Sequence, residues 1–100
     1  MPDAAHPPAE QQRPYRLVIA PSARRALSQS LPSTAAFAGW EFISGPLLER
    51  PKIVGAPLRP PFEGLWRARR GEYRVRYRIN EDSHEVVVLH IDHRRDAYRP

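Results

Sequence analysis

The stretch that decides the fold is residues 64–79, GLWRARRGEYRVRYRI, in which arginines alternate with aromatic and aliphatic residues on both sides of Gly71-Glu72. Successive side chains of a strand point to opposite faces of a sheet, so this spacing predicts a hairpin of two strands, 65–70 and 73–79. One face of the hairpin carries apolar side chains, which predicts that it packs on a core. The opposite face carries Arg67, Arg69, Arg74, Arg76 and Arg78.

The flanking sequence supplies the remaining elements of an α+β fold. The predicted elements are a strand at 15–20, a helix at 22–30, a second helix that begins at Ser33 or Thr34 and ends before Pro51, an irregular connection at 53–64, the hairpin, and a last strand at 85–92. Gly45-Pro46 predicts a kink in the second helix. The order is β-α-α-β-β-β, which predicts an antiparallel sheet with a helical hairpin on one face.

Length and composition point to one small domain. Residues 1–14 contain four prolines and little that could form a core, so they are predicted to be a disordered tail before a domain at 15–100. The 100 residues include no cysteine, which excludes disulfides and thiolate metal sites. Neither a signal peptide nor a membrane-spanning run is evident, so we expect a soluble, cytoplasmic protein that contacts no membrane.

The charge is strongly basic and is carried almost entirely by arginine. The formal net charge is +5, and of the 16 basic residues only Lys52 is a lysine. Arginine enrichment from codon usage would raise the count, but it would not gather five arginines on one face of two neighbouring strands. Because the planar guanidinium group matches phosphate geometry, this concentration favours phosphate binding. In so small a chain, the site should lie on an open surface.

Two tracts resemble the RelE/ParE superfamily of toxins. Residues 64–77 fit the hairpin pattern GLxRxRxGxYRVxY, and residues 90–98, HIDHRRDAY, fit the following pattern H-x-x-x-R-x-x-x-Y. The resemblance spans about residues 15–99, and the predicted element order is also that of the family. It implies the toxin of a type II toxin–antitoxin pair, a ribosome-dependent endoribonuclease that cuts messenger RNA and is inhibited by an acidic, extended, partly helical antitoxin.

The resemblance also implies roles for individual residues, with neither metal nor cofactor. A ribose 2′-hydroxyl would attack the adjacent phosphate and leave a 2′,3′-cyclic phosphate. Arg67, Arg69 and Arg74 would stabilise the transition state, Arg94 would neutralise the departing oxygen, and Tyr98 would stack on a base or position the hydroxyl. The further residues expected to bind RNA are Arg59, Arg70, Arg76, Arg78, His93 and Arg95.

The sequence leaves the general base and the class of activity open. Related toxins often have lysine where this chain has Arg67 or Arg69, and lysine is more easily tuned for proton transfer. His93 is either that base or an exposed turn residue, while His90 reads as half-buried and satisfied; the histidine spacing indicates no zinc site. The alternatives are a ParE-type gyrase inhibitor, which would not need Arg74, Arg94 and Tyr98, and a non-catalytic nucleic-acid-binding module, for which the outward face lacks stacking aromatics.

Overall fold

The hairpin of residues 64–79 is the centre of a five-stranded sheet. In the computed structural model, which describes residues 13–93, strand β3 (Trp66–Arg70) pairs antiparallel with β4 (Tyr73–Asn80), and β4 pairs antiparallel with β5 (Glu85–His93). The apolar face is buried as predicted: Ala68, Val75 and Tyr77 are at most 1% exposed. Each of these strands lies within a residue or so of its predicted bounds.

The sheet is mixed, which corrects the expectation of a purely antiparallel one. Strand β1 (Arg16–Ile19) pairs parallel with β5, and a two-residue strand β2 (Ala56–Pro57) pairs antiparallel with β3, giving the order β1-β5-β4-β3-β2. Hairpin turns impose antiparallel pairing only on consecutive strands. Strand β1 is joined to the hairpin through the helices, so no turn dictates its direction.

The helical segment is broken into short pieces by proline and glycine. Its elements are α1 (Pro21–Arg25), a π-helical turn (Ala26–Ser30), α2 (Ser33–Ser44), α3 (Pro46–Glu49) and α4 (Pro51–Val54). The break at Gly45-Pro46 is confirmed. The prediction of an irregular stretch at 53–64 is wrong at its start, because α4 and β2 occupy part of it. Prolines begin α1, α3 and α4, where a missing amide hydrogen costs no helical bond.

The helices cover one face of the sheet. Buried residues of the helical segment, including Ala23, Ile43 and Leu47, form one cluster with Val75 and Val86 of the sheet. Burial of an aliphatic side chain contributes about 1.5–3 kcal/mol, so this contact stabilises the helices more than their short lengths could. No helix within residues 13–93 has the length and apolar character needed to cross a membrane.

Tyr77 anchors the segment from Pro51 to Gly55 to the core. Its side chain is fully buried, and its hydroxyl donates a hydrogen bond of 2.6 Å to the carbonyl oxygen of Pro51. Burial raises the pKa of Tyr77 to about 12. Gly55 lies directly against this hydroxyl and against the Arg67 carbonyl oxygen, so closely that a side chain at position 55 would collide with both. The absence of a Cβ atom at Gly55 therefore lets the chain pass into β2.

The N-terminal end of the domain is held at the β4–β5 turn. The Tyr15 hydroxyl donates to Glu81 Oε1 at 2.8 Å, and Lys52 Nζ lies 2.5 Å from Glu81 Oε2. The His84 ring stacks on Tyr15 and donates to the carbonyl oxygen of Arg13 at 2.8 Å. Arg13 therefore contacts the domain, although the sequence predicts a tail that extends to residue 14. Residues 1–12 of that tail lie outside the described part of the chain.

Replacing Gly55 with alanine should destabilise the protein. The added Cβ atom would lie 2.8 Å from the Arg67 carbonyl oxygen and overlap the Tyr77 hydroxyl, and overpacking of this kind costs about 1–3 kcal/mol. The matched control is Gly39→Ala inside α2, whose Cβ would meet Leu27 at an ordinary 3.6 Å and should stabilise by roughly 0.5–1 kcal/mol. Urea unfolding of both variants measures the difference. Equal effects of the two substitutions would contradict the close approach.

The Glu81 cluster should make stability depend on pH. Hydrogen bonds from Lys52 and Tyr15 hold the pKa of Glu81 below its usual 4.5, so the ionised carboxylate favours the folded state. This contribution is complete above about pH 4.5 and is lost as the pH falls through the lower folded pKa. Because the Lys52–Glu81 ion pair is largely exposed, Glu81→Gln should lower the free energy of unfolding by at most about 1 kcal/mol at pH 7.

The measurement is urea unfolding of wild type and Glu81→Gln at pH 7 and pH 3. The difference between the two proteins should shrink at pH 3, where Glu81 approaches the neutral state that glutamine mimics. Glu63→Gln is the control, since Glu63 is exposed and forms no ion pair within residues 13–93. A difference that is the same at both pH values would show that ionisation of Glu81 contributes nothing.

Candidate functional site

The face of the sheet opposite the helices carries five arginines, as the alternation predicted. We call this surface the arginine face; its members are Arg67, Arg69, Arg74, Arg76 and Arg78. Arg74 and Arg76 are half-buried, and the others are exposed. Their positions follow directly from the burial of the residues between them, because a strand cannot turn one set inward without turning the other outward.

The arginines of neighbouring strands stand directly opposite one another. Arg69 pairs with Arg74 across β3 and β4, and Arg67 pairs with Arg76 in the next row. Like charges in directly opposed positions repel each other and destabilise the sheet. Binding of an anion between them is therefore favourable. None of Arg67, Arg69, Arg74 and Arg78 forms an ion pair with another residue in the range 13–93. Their guanidinium groups are thus available to a phosphate.

A β-bulge in β5 decides which of its side chains reach the arginine face. Arg76 pairs with His90 while Tyr77 pairs with Val88, so Leu89 is the extra residue of β5. Val88 before the bulge and Ile91 after it are both buried. An extra residue shifts the alternation by one position. His90 is consequently on the arginine face, where strict alternation from Val88 would have turned it toward the core.

Asp92 lies on the same face and contacts two basic side chains, one of them through a hydrogen bond from Arg76. Its Oδ2 is 3.4 Å from a guanidinium nitrogen of Arg76, and its Oδ1 is 2.7 Å from His90 Nε2. His90 Nδ1 is in turn 2.7 Å from the hydroxyl of Ser22, at the start of α1. We call this arrangement the Ser22–His90–Asp92 chain. His90 is half-buried and hydrogen-bonded, as predicted, but no sequence signal indicated that it supports a carboxylate.

A cleft of about 360 Å³ lies over the arginine face. It is lined by Leu58, Phe62, Arg67, Arg74, Arg76 and Asp92. The loop that contributes Leu58 and Phe62 is held to the hairpin by a hydrogen bond of 2.9 Å from the Leu58 amide to the Leu65 carbonyl oxygen. Phe62 is 54% exposed, which costs free energy in water but suits stacking on a base. An aromatic ring beside several guanidinium groups fits a nucleotide.

Phe62 is the residue that sequence reasoning missed. The outward face of β4 carries no aromatic residue, and the aromatic ring of the cleft comes instead from the loop before β3. A phenylalanine among prolines, in a segment without a periodic pattern, has little chance of joining the core. This local sequence is the one signal that indicates an exposed aromatic ring at Phe62.

Two predicted RNA-binding residues lie on the helical side of the sheet. The Arg70 guanidinium group sits 4.7 Å from the centre of the Phe42 ring of α2. His93 is the last described residue of β5, is 8% exposed, and lines a depression with Thr34 and Glu72. His93 is therefore not an exposed turn residue, and it does not share a face with the cleft. The bulge explains this, because residues 91 and 93 follow the shifted alternation.

The remaining residues predicted to contact RNA lie either in the loop before β3 or outside residues 13–93. Arg59 is exposed in the loop that forms the cleft wall. Arg94, Arg95 and Tyr98 lie outside residues 13–93. Across the described range, no three His, Asp or Glu side chains are grouped so as to hold a metal ion.

Comparison with known proteins gives a consistent family. Residues 42–98 match the family model described as ParE toxin of type II toxin-antitoxin system, parDE. The chain is 48% identical over 86 residues to a protein named Toxin RelE from Mycobacterium tuberculosis, covering 86% of this chain and 88% of the relative. It is 44% identical to Toxin RelG of the same organism, covering 86% of this chain and 98% of that protein.

Solved structures agree with the sequence comparison. The toxin-antitoxin complex RelBE2 from Mycobacterium tuberculosis contains a chain that is 43% identical, with a TM-score of 0.79 and coverage of 82% of this chain and all of that one. The intact RelBE toxin-antitoxin complex of E. coli matches with a TM-score of 0.65 at 20% identity, covering 79% of this chain and 95% of that one. The second match supports the fold alone.

Removing two arginines of the arginine face should weaken binding of single-stranded RNA. Arg69→Ala with Arg74→Ala deletes a directly opposed pair, and each lost phosphate contact should reduce the slope of log affinity against log salt by about 0.7. The control is Arg24→Ala with Arg25→Ala, an equal loss of charge on exposed positions of α1. Fluorescence anisotropy between 50 and 200 mM salt, a range in which phosphate contacts cost affinity strongly, measures both slopes. Equal slopes would mean that net charge alone drives binding.

Proposed function

This chain belongs to the RelE/ParE family of type II toxins, and we propose that it is the toxin of such a pair, cutting messenger RNA on the ribosome. The observation that carries the proposal is the cleft in which Arg67, Arg74 and Arg76 surround a space beside an exposed aromatic ring. Cleavage of a phosphodiester gathers negative charge on the phosphorus-bound oxygens in the transition state. Guanidinium groups fixed on two strands stabilise that charge without reorganising during the reaction.

The proposed reaction is attack of a ribose 2′-hydroxyl on the adjacent phosphate. The 2′-oxygen forms a bond to phosphorus, the bond to the 5′-oxygen breaks, and the products are a 2′,3′-cyclic phosphate and a 5′-hydroxyl. We propose that Arg67, Arg69 and Arg74 stabilise the transition state, in place of the positive charge that metal ions supply in other nucleases. Arg94 would neutralise the departing oxygen, and Tyr98 would stack on a base or position the attacking hydroxyl.

RNA on either side of the cut would be held by the rest of the arginine face. Arg76 and Arg78 continue the row of positive charge along β4, and Arg59 and Arg95 would contact flanking phosphates. Phe62 would stack on a base at the edge of the cleft. Arg70 and His93, which the sequence predicts to bind RNA, would not contact it, because both lie on the helical side of the sheet.

The proposed partners are an antitoxin and the ribosome. The solved relative from Mycobacterium tuberculosis is a complex of toxin with antitoxin. A net charge of +5 and an open arginine face favour an acidic antitoxin chain here, and the same charges favour approach to ribosomal RNA. Because the proposed activity takes place on the ribosome, we propose that the protein acts in the cytoplasm.

Inhibition of DNA gyrase is the second candidate, because the family model that matches residues 42–98 is named for ParE. A gyrase inhibitor would act by binding and would not need arginines arranged around a cleft that fits a nucleotide. A non-catalytic nucleic-acid-binding module would use the same cleft for binding only. The three candidates differ in what happens to cellular RNA and to DNA supercoiling.

Inducible expression separates the candidates. Wild type should arrest growth and create new 5′ ends within translated reading frames, while Arg74→Ala with Arg94→Ala should lower cleavage by at least about 100-fold, the loss typical for removal of a transition-state donor. Arg24→Ala with Arg25→Ala is the control for lost charge and should remain toxic. Binding of the cognate antitoxin by the inactive variant shows that it is folded.

Each contrary result has a definite meaning. Intact messenger RNA together with inhibited supercoiling by purified gyrase would assign the chain to the gyrase inhibitors. A fully toxic Arg74/Arg94 double variant would contradict the nuclease. RNA binding without cleavage or gyrase inhibition would leave only the binding module.

A further inference from the structure

The cleft over the arginine face needs a proton acceptor if RNA is cut there. A 2′-hydroxyl must lose its proton as it attacks phosphorus, and a guanidinium group has no lone pair with which to accept one. The lining side chains are two apolar residues, three arginines and Asp92. Among the lining residues, all of which are described, Asp92 alone can accept a proton.

Asp92 is positioned for that task by its neighbours. His90 Nε2 lies 2.7 Å from Oδ1, and Arg76 lies 3.4 Å from Oδ2, so the carboxylate is fixed from two directions. Each oxygen keeps a free lone-pair direction, since a carboxylate accepts about four hydrogen bonds. The side chain is 31% exposed, which lets a substrate hydroxyl reach it.

The Ser22–His90–Asp92 chain holds the carboxylate in either protonation state of the imidazole. Because an ionised Asp92 has no proton to give, His90 Nε2 must carry the shared hydrogen, and Nδ1 of the neutral ring accepts from the Ser22 hydroxyl. When His90 is protonated, Nδ1 donates to the Ser22 oxygen instead. A hydroxyl both donates and accepts, so the ring need not move.

We propose that Asp92 is the general base of RNA cleavage and that His90 is a positioning residue for it; this rests on the proposed nuclease function. As the 2′-oxygen bonds to phosphorus, its proton passes to the Asp92 carboxylate. The bond to the 5′-oxygen breaks, and that oxygen leaves with the electron pair and takes a proton from water. Asp92 then returns its proton to solvent, which restores the starting state.

The competing explanation is that Asp92 merely separates like charges. Arg74 and Arg76 of β4 and His90 of β5 surround it, with Arg69 of β3 at the far end of its row, so a negative charge there lowers repulsion. A carboxylate with only that role would help the protein to fold and to bind RNA, but it would not change the rate of the chemical step. A general base affects only the chemical step, and its loss typically costs 10²- to 10⁴-fold in rate.

The test is single-turnover cleavage of messenger RNA bound to purified ribosomes, measured with excess toxin. Asp92→Asn should lower the saturating rate by about 100- to 1,000-fold, without raising the toxin concentration needed for half-saturation. Asp92→Glu should recover part of the rate. His90→Ala should also lower the saturating rate without changing half-saturation, and His90→Gln, which can still donate a hydrogen bond to Asp92, should recover part of that loss.

Glu85→Gln is the matched control, because Glu85 is the other carboxylate of β5 that pairs with an arginine, Arg16, at 3.1 Å. It should leave both the saturating rate and the toxin concentration needed for half-saturation unchanged. Thermal unfolding and antitoxin binding identify any variant that is misfolded, and Asp92→Glu tests the assignment if Asp92→Asn does not fold.

The two proposals fail in different ways. Cleavage by Asp92→Asn within about threefold of the wild-type rate would overturn the base assignment and leave the nuclease intact. An Asp92→Asn variant that loses only affinity would likewise overturn it, since that is the behaviour of a charge spacer. Wild-type toxin that leaves ribosome-bound messenger RNA uncut would overturn the proposed function, and the base assignment with it.

Discussion

The strand β4 has two incompatible faces, and the rest of the structure depends on keeping them apart. Tyr73, Val75 and Tyr77 are buried against the helices, while Arg74 and Arg76 are held on the other side. Burial of each large side chain contributes about 1.5–3 kcal/mol, whereas a cross-strand pair of like charges costs roughly 0.2–1 kcal/mol. Core burial therefore outweighs the repulsion between the arginines. An anion that binds between them would relieve this repulsion.

The bulge at Leu89 adds the acid–base component to a face that would otherwise be purely cationic. Without the extra residue, His90 and Asp92 would follow Val86 and Val88 toward the core. An unpaired carboxylate there would cost several kcal/mol. With the bulge, both side chains meet Arg76 at the surface, and Ile91 fills the core position. One inserted residue thus changes the chemistry of the face.

The wall of the cleft is tied to the core rather than left as a free loop. Tyr77 contacts Gly55 and bonds to Pro51, and β2 pairs with β3 directly before the loop that carries Phe62. A site whose floor is a packed sheet and whose wall is anchored at both ends keeps its charges in fixed positions. Such preorganisation is what electrostatic stabilisation of a transition state requires.

The hairpin and its two faces could be predicted from the sequence, because they depend on residues that are close together in the chain. Strand alternation depends only on neighbouring residues, so residues 64–79 determined the hairpin, its buried face and the arginine face by themselves. The parallel pairing of β1, the placement of Phe62 and the position of Asp92 beside His90 depend on distant segments and on a bulge whose register is set by pairing. His93 shows the same limit: the sequence left it open between a general base and an exposed turn residue, and the shifted alternation buries it on the helical side. Those features were decided only by the tertiary structure, because contacts between segments distant in the chain fix them and no local pattern encodes them.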